Sequence, residues 1–488
     1  MDQNDARGAE GGADRAEDEL LRDLGYKPQF KRVLGLFGDF SLGYSYMSPL
    51  AGFYALFGYA LALAGPSFFW TMPIVLAGHT LVALVFAEAS SQYPLAGGVY
   101  QWARRLGGPR YGFVTGWVYL LALIGTVAGL AAGVAPYLAP LIGAEGGPAF
   151  NAGTGIVMIL VAAAFNLMGT RVLARVTELG VWAGLLGLVV CGVWLLLFAR
   201  VQPFDVLFQS FGAGEGDRAA ALFAASLIGV WIFFGHEACG DLAEEVKDAS
   251  RQVPRAMILT MVAGGGSALL IALGMILAVP DMAAAVAGEV NPAEAALTAA
   301  LGPIGAKAML ACLLLIVLSA AVSVIASTSR LLFSLGRDDL IVGSRLMAAI
   351  DERRGLPVPA VAVATLVPVG IVALGLLSPN AAAPIISFAT AGIYSAFAMV
   401  VLGAVIARNG GWQPAGSFTL GRWGWPVTVA ALAFETGAIL NIVWPRPASA
   451  DASFYATWLI PIALAAILGL GLLQSGRAAR QGTQGAGA

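Results

Sequence analysis

The chain has 488 residues, of which 59 % are apolar and 11 % charged, against about 25 % charged in an average soluble protein. So small a polar share cannot cover a water-exposed surface, which excludes a soluble globular protein. The formal charge of −2, with no basic stripe anywhere along the chain, argues against a nucleic-acid partner.

In chain order, residues 1–32 come first, with eight acids and six bases interleaved with Gly and Ala. They lack the apolar core of a signal peptide and read as a solvated, disordered tail. Twelve apolar runs follow, near 33–64, 68–92, 111–142, 151–170, 176–198, 219–243, 256–280, 303–334, 357–377, 382–407, 425–443 and 454–474. A helix needs roughly 20 residues to cross about 30 Å of hydrocarbon, so each run predicts one transmembrane span. Residues 475–488 form a second polar tail. Cys191, Cys239 and Cys312 all fall inside these runs, without paired or metal-ligand spacing, and read as small packing residues.

Basic loops resist translocation, so the placement of Lys and Arg sets orientation. With the N-terminus inside, 23 of the 27 basic residues lie in cytoplasmic segments, and only Arg200, Arg218, Lys307 and Arg446 lie outside. A single missed span would scramble every later loop, so the asymmetry supports twelve spans with both termini in the cytoplasm. The compartment implied is the cytoplasmic (inner) membrane.

Two spans are interrupted. Span 1 runs through Gly35, Gly38 and Gly43 into SYMSPLAGF (Ser45 to Phe53), where Pro49 cannot donate a backbone bond and disfavours helical geometry at Ser48. Span 6 carries WIFFGHEACGDLAEE (Trp231 to Glu245), with Gly235, His236 and Glu237 at hydrocarbon depth. Ionisable groups there are expensive and mark a pathway or a site. The interruptions lie five spans apart, each in the first helix of a five-helix block. Broken helices at corresponding places in two halves point to a solute site at the midplane.

Four segments, SLGYSYMSPLAGFYALFGYALALAGP, VFAEASSQYPLAGGVYQWARRL, FFGHEACGDLAEEVKDASRQVPRAM and ASTSRLLFSLGRDDLI, resemble the amino acid-polyamine-organocation permeases. Within these, the resemblance is closest to the amino acid and choline transporter branch, which includes γ-aminobutyrate permeases. It covers residues 33 to 445. It implies an all-α membrane protein of twelve transmembrane helices, with a five-plus-five inverted-repeat core like that of bacterial leucine transporters over 33–407. Two peripheral helices would follow within 408–474. The resemblance places the substrate carboxylate at amides of broken helix 1 and the amine at carbonyls of broken helix 6. Carried onto matching positions, the substrate residues are Ser45, Ser48, Pro49, Leu50 and Ala51, with Phe234, Gly235, His236 and Glu237. Gly52 joins them, since backbone approach there needs a missing side chain. Where many relatives have an aromatic and then Asp, this chain has His236 and Glu237.

Other polar residues invite structural readings. Glu88 is expected to pair with loop arginines or backbone amides, and Glu178 to be structural. Asp39, near Lys31 and Arg32, suits a cap or gate. His79 reads as a satisfied packing residue, Glu435 as a helix-interface hydrogen bonder, and Arg330 as a side chain reaching the cytoplasmic face. Ser319, Ser323 and Ser327 share one helical face, which either lets helices approach closely or, as in relatives of this fold, helps hold a cation.

The reading that results is a secondary permease for an amino acid or small amine, with membrane lipid around it. No nucleotide-binding loop, metal-ligand cluster or nucleophile motif occurs in the sequence, so neither enzyme nor cofactor is expected. A channel or a solute sensor with the same pocket are the alternatives. The coupling ion is expected to be a proton, with Glu237 as titrating group and His236 as modulator. Residues 176–198 lack the lysine that some proton-coupled relatives use. Sodium on the Ser323 and Ser327 face is the other possibility.

Overall fold

The computed structural model describes residues 15–377, 382–446 and 454–476. Among these, secondary structure is helical, and the only extended pairings are the isolated bridges Leu34 to Val246 and Asp351 to Leu356. The principal helices are α1 (Leu36–Met47), α2 (Pro49–Ala64), α3 (Thr71–Gln92), α4 (Gly98–Gly107), α5 (Pro109–Ala132), α6 (Pro148–Leu167) and α7 (Thr170–Gly187). After them come α8 (Arg218–Ile232), α9 (Ala238–Asp241), α10 (Ala249–Ala278), α11 (Pro292–Arg337), α12 (Val358–Leu374), α13 (Ala382–Asn409), α14 (Gly424–Val443) and α15 (Phe454–Gln474). Nine helical runs among the described residues are long and apolar enough to cross a membrane, and α8 and α12 are shorter apolar helices. The chain is therefore a multi-pass membrane protein.

Local chemistry explains the main irregularities. Span 1 divides at Ser48, which takes a left-handed conformation (φ 45°) just before Pro49 opens α2. Within α11, Gly302 (φ 70°) kinks the backbone before Pro303, at the residue where the apolar run of span 8 begins. Helix α7 continues through a π-helical turn, Leu188–Trp194, to Phe198.

Packing puts the broken helices at the centre. Helix α1 lies against α7, α10 and α11, while α2 adds α8 to that set. The most extensive pairings elsewhere are α5 with α13 and α3 with α10. Helix α14 packs on α3 and α13, and α15 touches mainly α13 and α5.

One end of the bundle is closed by charge pairs. Arg330, expected to reach for the surface, is instead fully buried and holds Glu245 with Nε at 2.7 Å and Nη2 at 3.1 Å. A guanidinium is planar and presents two parallel donors, so a carboxylate can satisfy it inside the protein without water. Thr170 also donates to Glu245, and the Glu245 carbonyl accepts from Val33 and Leu34. This one residue ties together α7, α11 and the approach to α1. The segment expected to be a free tail contributes as well. Residues 15–23 are helical, Leu21, Tyr26 and Phe30 are buried, and Glu17 accepts from the Ala249 amide. Tyr26 donates to Asp338 at 3.0 Å. Burial and the nearby Asp338 charge push its phenol up, so it keeps the donated proton. The three apolar side chains give residues 15–32 a face to bury, which charge composition alone concealed. Residues 1–14 and 477–488, also expected as tails, lie outside the described residues.

Replacing Arg330 by Met leaves a buried carboxylate without its cation, and losses of about 3–5 kcal/mol are usual for that change. Thermal denaturation in detergent should show a marked fall in midpoint for Arg330→Met. The double variant Arg330→Met/Glu245→Leu should recover most of it.

Candidate transport site

The first break is built from backbone geometry. Ser48 donates its amide to the Tyr44 carbonyl at 2.9 Å and its hydroxyl to the Ser45 carbonyl, ending α1. Helix α2 then starts at Pro49 with no side chain capping it. A helix start presents unpaired N–H groups and a partial positive charge, here among buried residues.

The second break spans Phe233 to Glu237. Gly235 sits at φ 122°, a conformation side chains rarely adopt, and a Cβ there would lie 2.6 Å from the Met47 backbone nitrogen. Only glycine lets this segment lie directly against the end of α1. Glu237 is fully buried, and its Oε2 accepts from the Gly235 amide at 2.7 Å. The carboxylate therefore braces the turn that contacts the first break.

Beside the breaks lies a cavity of about 90 Å³, with room for several water-sized groups or the heavy atoms of a small solute. Tyr46, Met47, Ser48, Ala51 and Gly52 line one side, and Trp231 and Phe234 another. Thr126 from α5, Val317 from α11 and Ile386 from α13 also line it, and none of the lining residues is charged. The Phe234 ring meets Tyr46 edge-on at 5.7 Å and Trp231 edge-on at 5.4 Å, making an aromatic corner. The buried Tyr46 hydroxyl has no protein partner among the described residues.

Of the residues expected at the substrate, Ser48, Ala51, Gly52 and Phe234 line this cavity. The others stand behind it. Ser45 donates across to the Thr177 carbonyl on α7 at 2.9 Å, Pro49 is buried as the first residue of α2, and Leu50 faces Gly187. Gly235 and Glu237 support the turn from the far side, and His236 is enclosed by Phe86 and Phe397 at ring distances of 5.7 and 5.8 Å. On the serine face of α11, Ser323 donates to the Leu42 carbonyl of α1 at 2.9 Å, Ser319 to its own helix, and Ser327 sits beside Asp241.

Two readings of polar residues change. Asp39 is buried with neither oxygen hydrogen-bonded among the described residues, and Arg32 pairs instead with Glu17 and Asp18. Glu435 is also buried with both oxygens unpaired, so among the described residues it makes no hydrogen bond across the helix interface. Glu88 pairs with Arg408 and accepts from the Leu420 amide at 2.8 Å, as its position suggested. His79 is packed among aromatic rings and bonds the Tyr394 hydroxyl through Nε2, and its Nδ1 has no partner among the described residues. Glu178 approaches Gly38 of α1.

Several site residues escaped the sequence. Tyr46 and Trp231 lie within the quoted broken segments and could have been found as aromatics flanking each break. Asp241 is fully buried and accepts from the Tyr119 hydroxyl at 2.8 Å; its spacing of four from Glu237 is a signal. Thr126 and Val317 belong to unbroken helices and carry no local mark.

A Cβ on Gly52 would lie 2.9 Å from Ile232 Cγ1, so bulk there forces α2 away from α8 as well as into the cavity. Gly52→Leu should lose at least tenfold in affinity, about 1.4 kcal/mol, in a ligand thermal-shift assay. Ile232→Ala in the same chain should restore part of the loss.

Residues 34–469 match the family described as amino acid permease. Among similar proteins, an amino-acid permease of Arabidopsis thaliana is 26 % identical over 84 % of this chain and 87 % of its own length. A homologue of it in Oryza sativa subsp. japonica is 24 % identical, covering 90 % of this chain and 89 % of its own. A thiamine transporter of Schizosaccharomyces pombe is 25 % identical, covering 88 % of this chain and 81 % of its own. With the family match covering nearly the whole chain, the protein belongs to the amino acid permeases of the amino acid-polyamine-organocation superfamily.

Proposed function

We propose that this permease is a secondary active transporter of amino acids or related small amines, working by alternating access and driven by protons. The family makes it a transporter of small organic solutes. Because one relative is a thiamine transporter, family membership leaves the solute open, and the cavity narrows it. The lining carries no charged side chain, which favours a net-neutral zwitterion over a polycation. Its carboxylate would meet the amide end of α2. Its amine would meet carbonyls of the α8 break and the faces of the Tyr46, Trp231 and Phe234 rings, where a cation is attracted by the ring quadrupole.

We read the architecture as twelve spans with a five-plus-five core, both termini cytoplasmic, in the cytoplasmic membrane. Glu245, Arg330, Arg104 and Asp338 then close the cytoplasmic end, and rocking of one helix group against another would open it.

The observation that carries proton coupling is the 2.7 Å bond from the Gly235 amide to Glu237 Oε2. A carboxylate accepts that bond strongly and a protonated carboxyl weakly. Protonation of Glu237 would thus loosen the turn that lies on the Met47 backbone beside the cavity, linking a proton to the shape of the site.

Proteoliposomes with a pH gradient and no sodium should accumulate labelled amino acid in a saturable manner. Glu237→Gln should still exchange substrate, yet lose accumulation by tenfold or more. Accumulation by that variant at the wild-type level would remove Glu237 from the mechanism, and accumulation only under a sodium gradient would replace the proton by sodium.

A further inference from the structure

The solute cavity holds a polar group that the protein leaves without a partner. Tyr46, in the last turn of α1, is 5 % exposed and lines the cavity, and its hydroxyl bonds nothing among the described residues. Its place is fixed from two directions. The ring meets Phe234 edge-on at 5.7 Å, and Gly235 lies directly on the backbone between Tyr46 and Met47.

Thr126 of α5 lines the cavity too and stands beside the Tyr46 hydroxyl without meeting the geometry of a hydrogen bond to it. Its own hydroxyl donates to the Ala122 carbonyl one turn back, at 2.9 Å. That proton is engaged, so Thr126 offers the cavity lone pairs alone, while Tyr46 offers a proton. The Ser48 hydroxyl, also at the cavity, is given to the Ser45 carbonyl. A donor and an acceptor side by side are matched by a group that both accepts and donates. A carboxylate brings no proton for Thr126, and an ammonium gives the Tyr46 proton no acceptor. A hydroxyl or a primary carboxamide satisfies both at once.

A solute that fills the cavity must either bond these two groups or strip them of water without replacement. A site built to hydrogen-bond a hydroxyl rejects the analogue that lacks it far more strongly than an apolar pocket rejects a change of one methylene. We propose that Tyr46 and Thr126 select the solute by its side chain, so that the permease prefers amino acids with a hydroxyl or carboxamide side chain to apolar ones of the same shape. The cavity of about 90 Å³ keeps that side chain short. The inference rests on the reading of the solute as an amino acid and deepens it: with the carboxylate at α2 and the amine at the α8 break, the side chain is the part left to reach α5.

Thermal-shift titrations of the full-length protein in detergent give the affinities that test this selection. Threonine should bind about tenfold or more tightly than valine, which has the same shape, or asparagine should do so against leucine; a preference in the first pair assigns a hydroxyl, and one in the second a carboxamide. Tyr46→Phe keeps the ring and its contact with Phe234, and should bring the ratio below about threefold. Because it removes a hydroxyl that bonds no protein group, its unliganded midpoint should not fall. Thr126→Val also conserves shape, should narrow the same ratio, and serves if Tyr46→Phe does not fold. Equal affinities within both pairs in wild type overturn the selection and leave the amino acid reading intact. An equal loss for threonine and valine in Tyr46→Phe also overturns it, because the hydroxyl then bonds the zwitterion that the two share. Binding of no amino acid overturns the amino acid reading, and this inference with it.

Discussion

Hydrocarbon supplies no hydrogen-bond partner, so every backbone group released where a membrane helix breaks has to be satisfied by the protein or by what the protein binds. Both interrupted spans are organised around this requirement. At the first, the Ser48 hydroxyl serves the Ser45 carbonyl and Ser323 reaches across from α11 to Leu42. At the second, Glu237 takes the Gly235 amide and Tyr394 takes the Val230 carbonyl. The start of α2 is left uncapped, and that is where the cavity lies. In the proposed transport of a zwitterion, the anionic end of the solute would complete the pairing that the fold leaves open.

The same accounting governs charge. At one end of the bundle the buried ions are paired, Arg330 with Glu245 and Arg337 with Glu244, and these pairs join α11 to the segment ending at Val246, which meets Leu34 in an isolated bridge. Elsewhere in the bundle, Asp39, Glu237 and Glu435 are buried carboxyls that pair with no Lys or Arg among the described residues. Paired ions hold one arrangement firmly, whereas unpaired carboxyls change their preferred surroundings when they gain or lose a proton. A molecule that locks one end and leaves titratable groups near its solute cavity has the ingredients of a switch.

The serine face of α11 shows how one local pattern admits more than one tertiary use. Spacing by four puts Ser319, Ser323 and Ser327 on one side, yet they end differently: one bonds its own helix, one bonds α1, and one sits beside Asp241. Their small size permits the close approach of α1. The partner that Ser323 meets lies on a helix nearly 300 residues away in the chain.

The amino-acid sequence determined the membrane class, the apolar runs and the two interruptions by itself, because apolar length, proline and glycine act within a few residues of where they stand. It also marked Ser48, Ala51, Gly52 and Phe234, which sit on or next to a break. Only the tertiary structure decided that Ser45, Leu50, His236 and Glu237 stand behind the cavity, since the direction a side chain takes from an irregular segment is set by the helices packed on it. It alone brought Thr126, Val317 and Ile386 to the cavity, folded residues 15–32 onto the bundle, and buried Arg330 against Glu245. Those outcomes depend on contacts between residues far apart in the chain, and such contacts leave no periodicity in the sequence to be read.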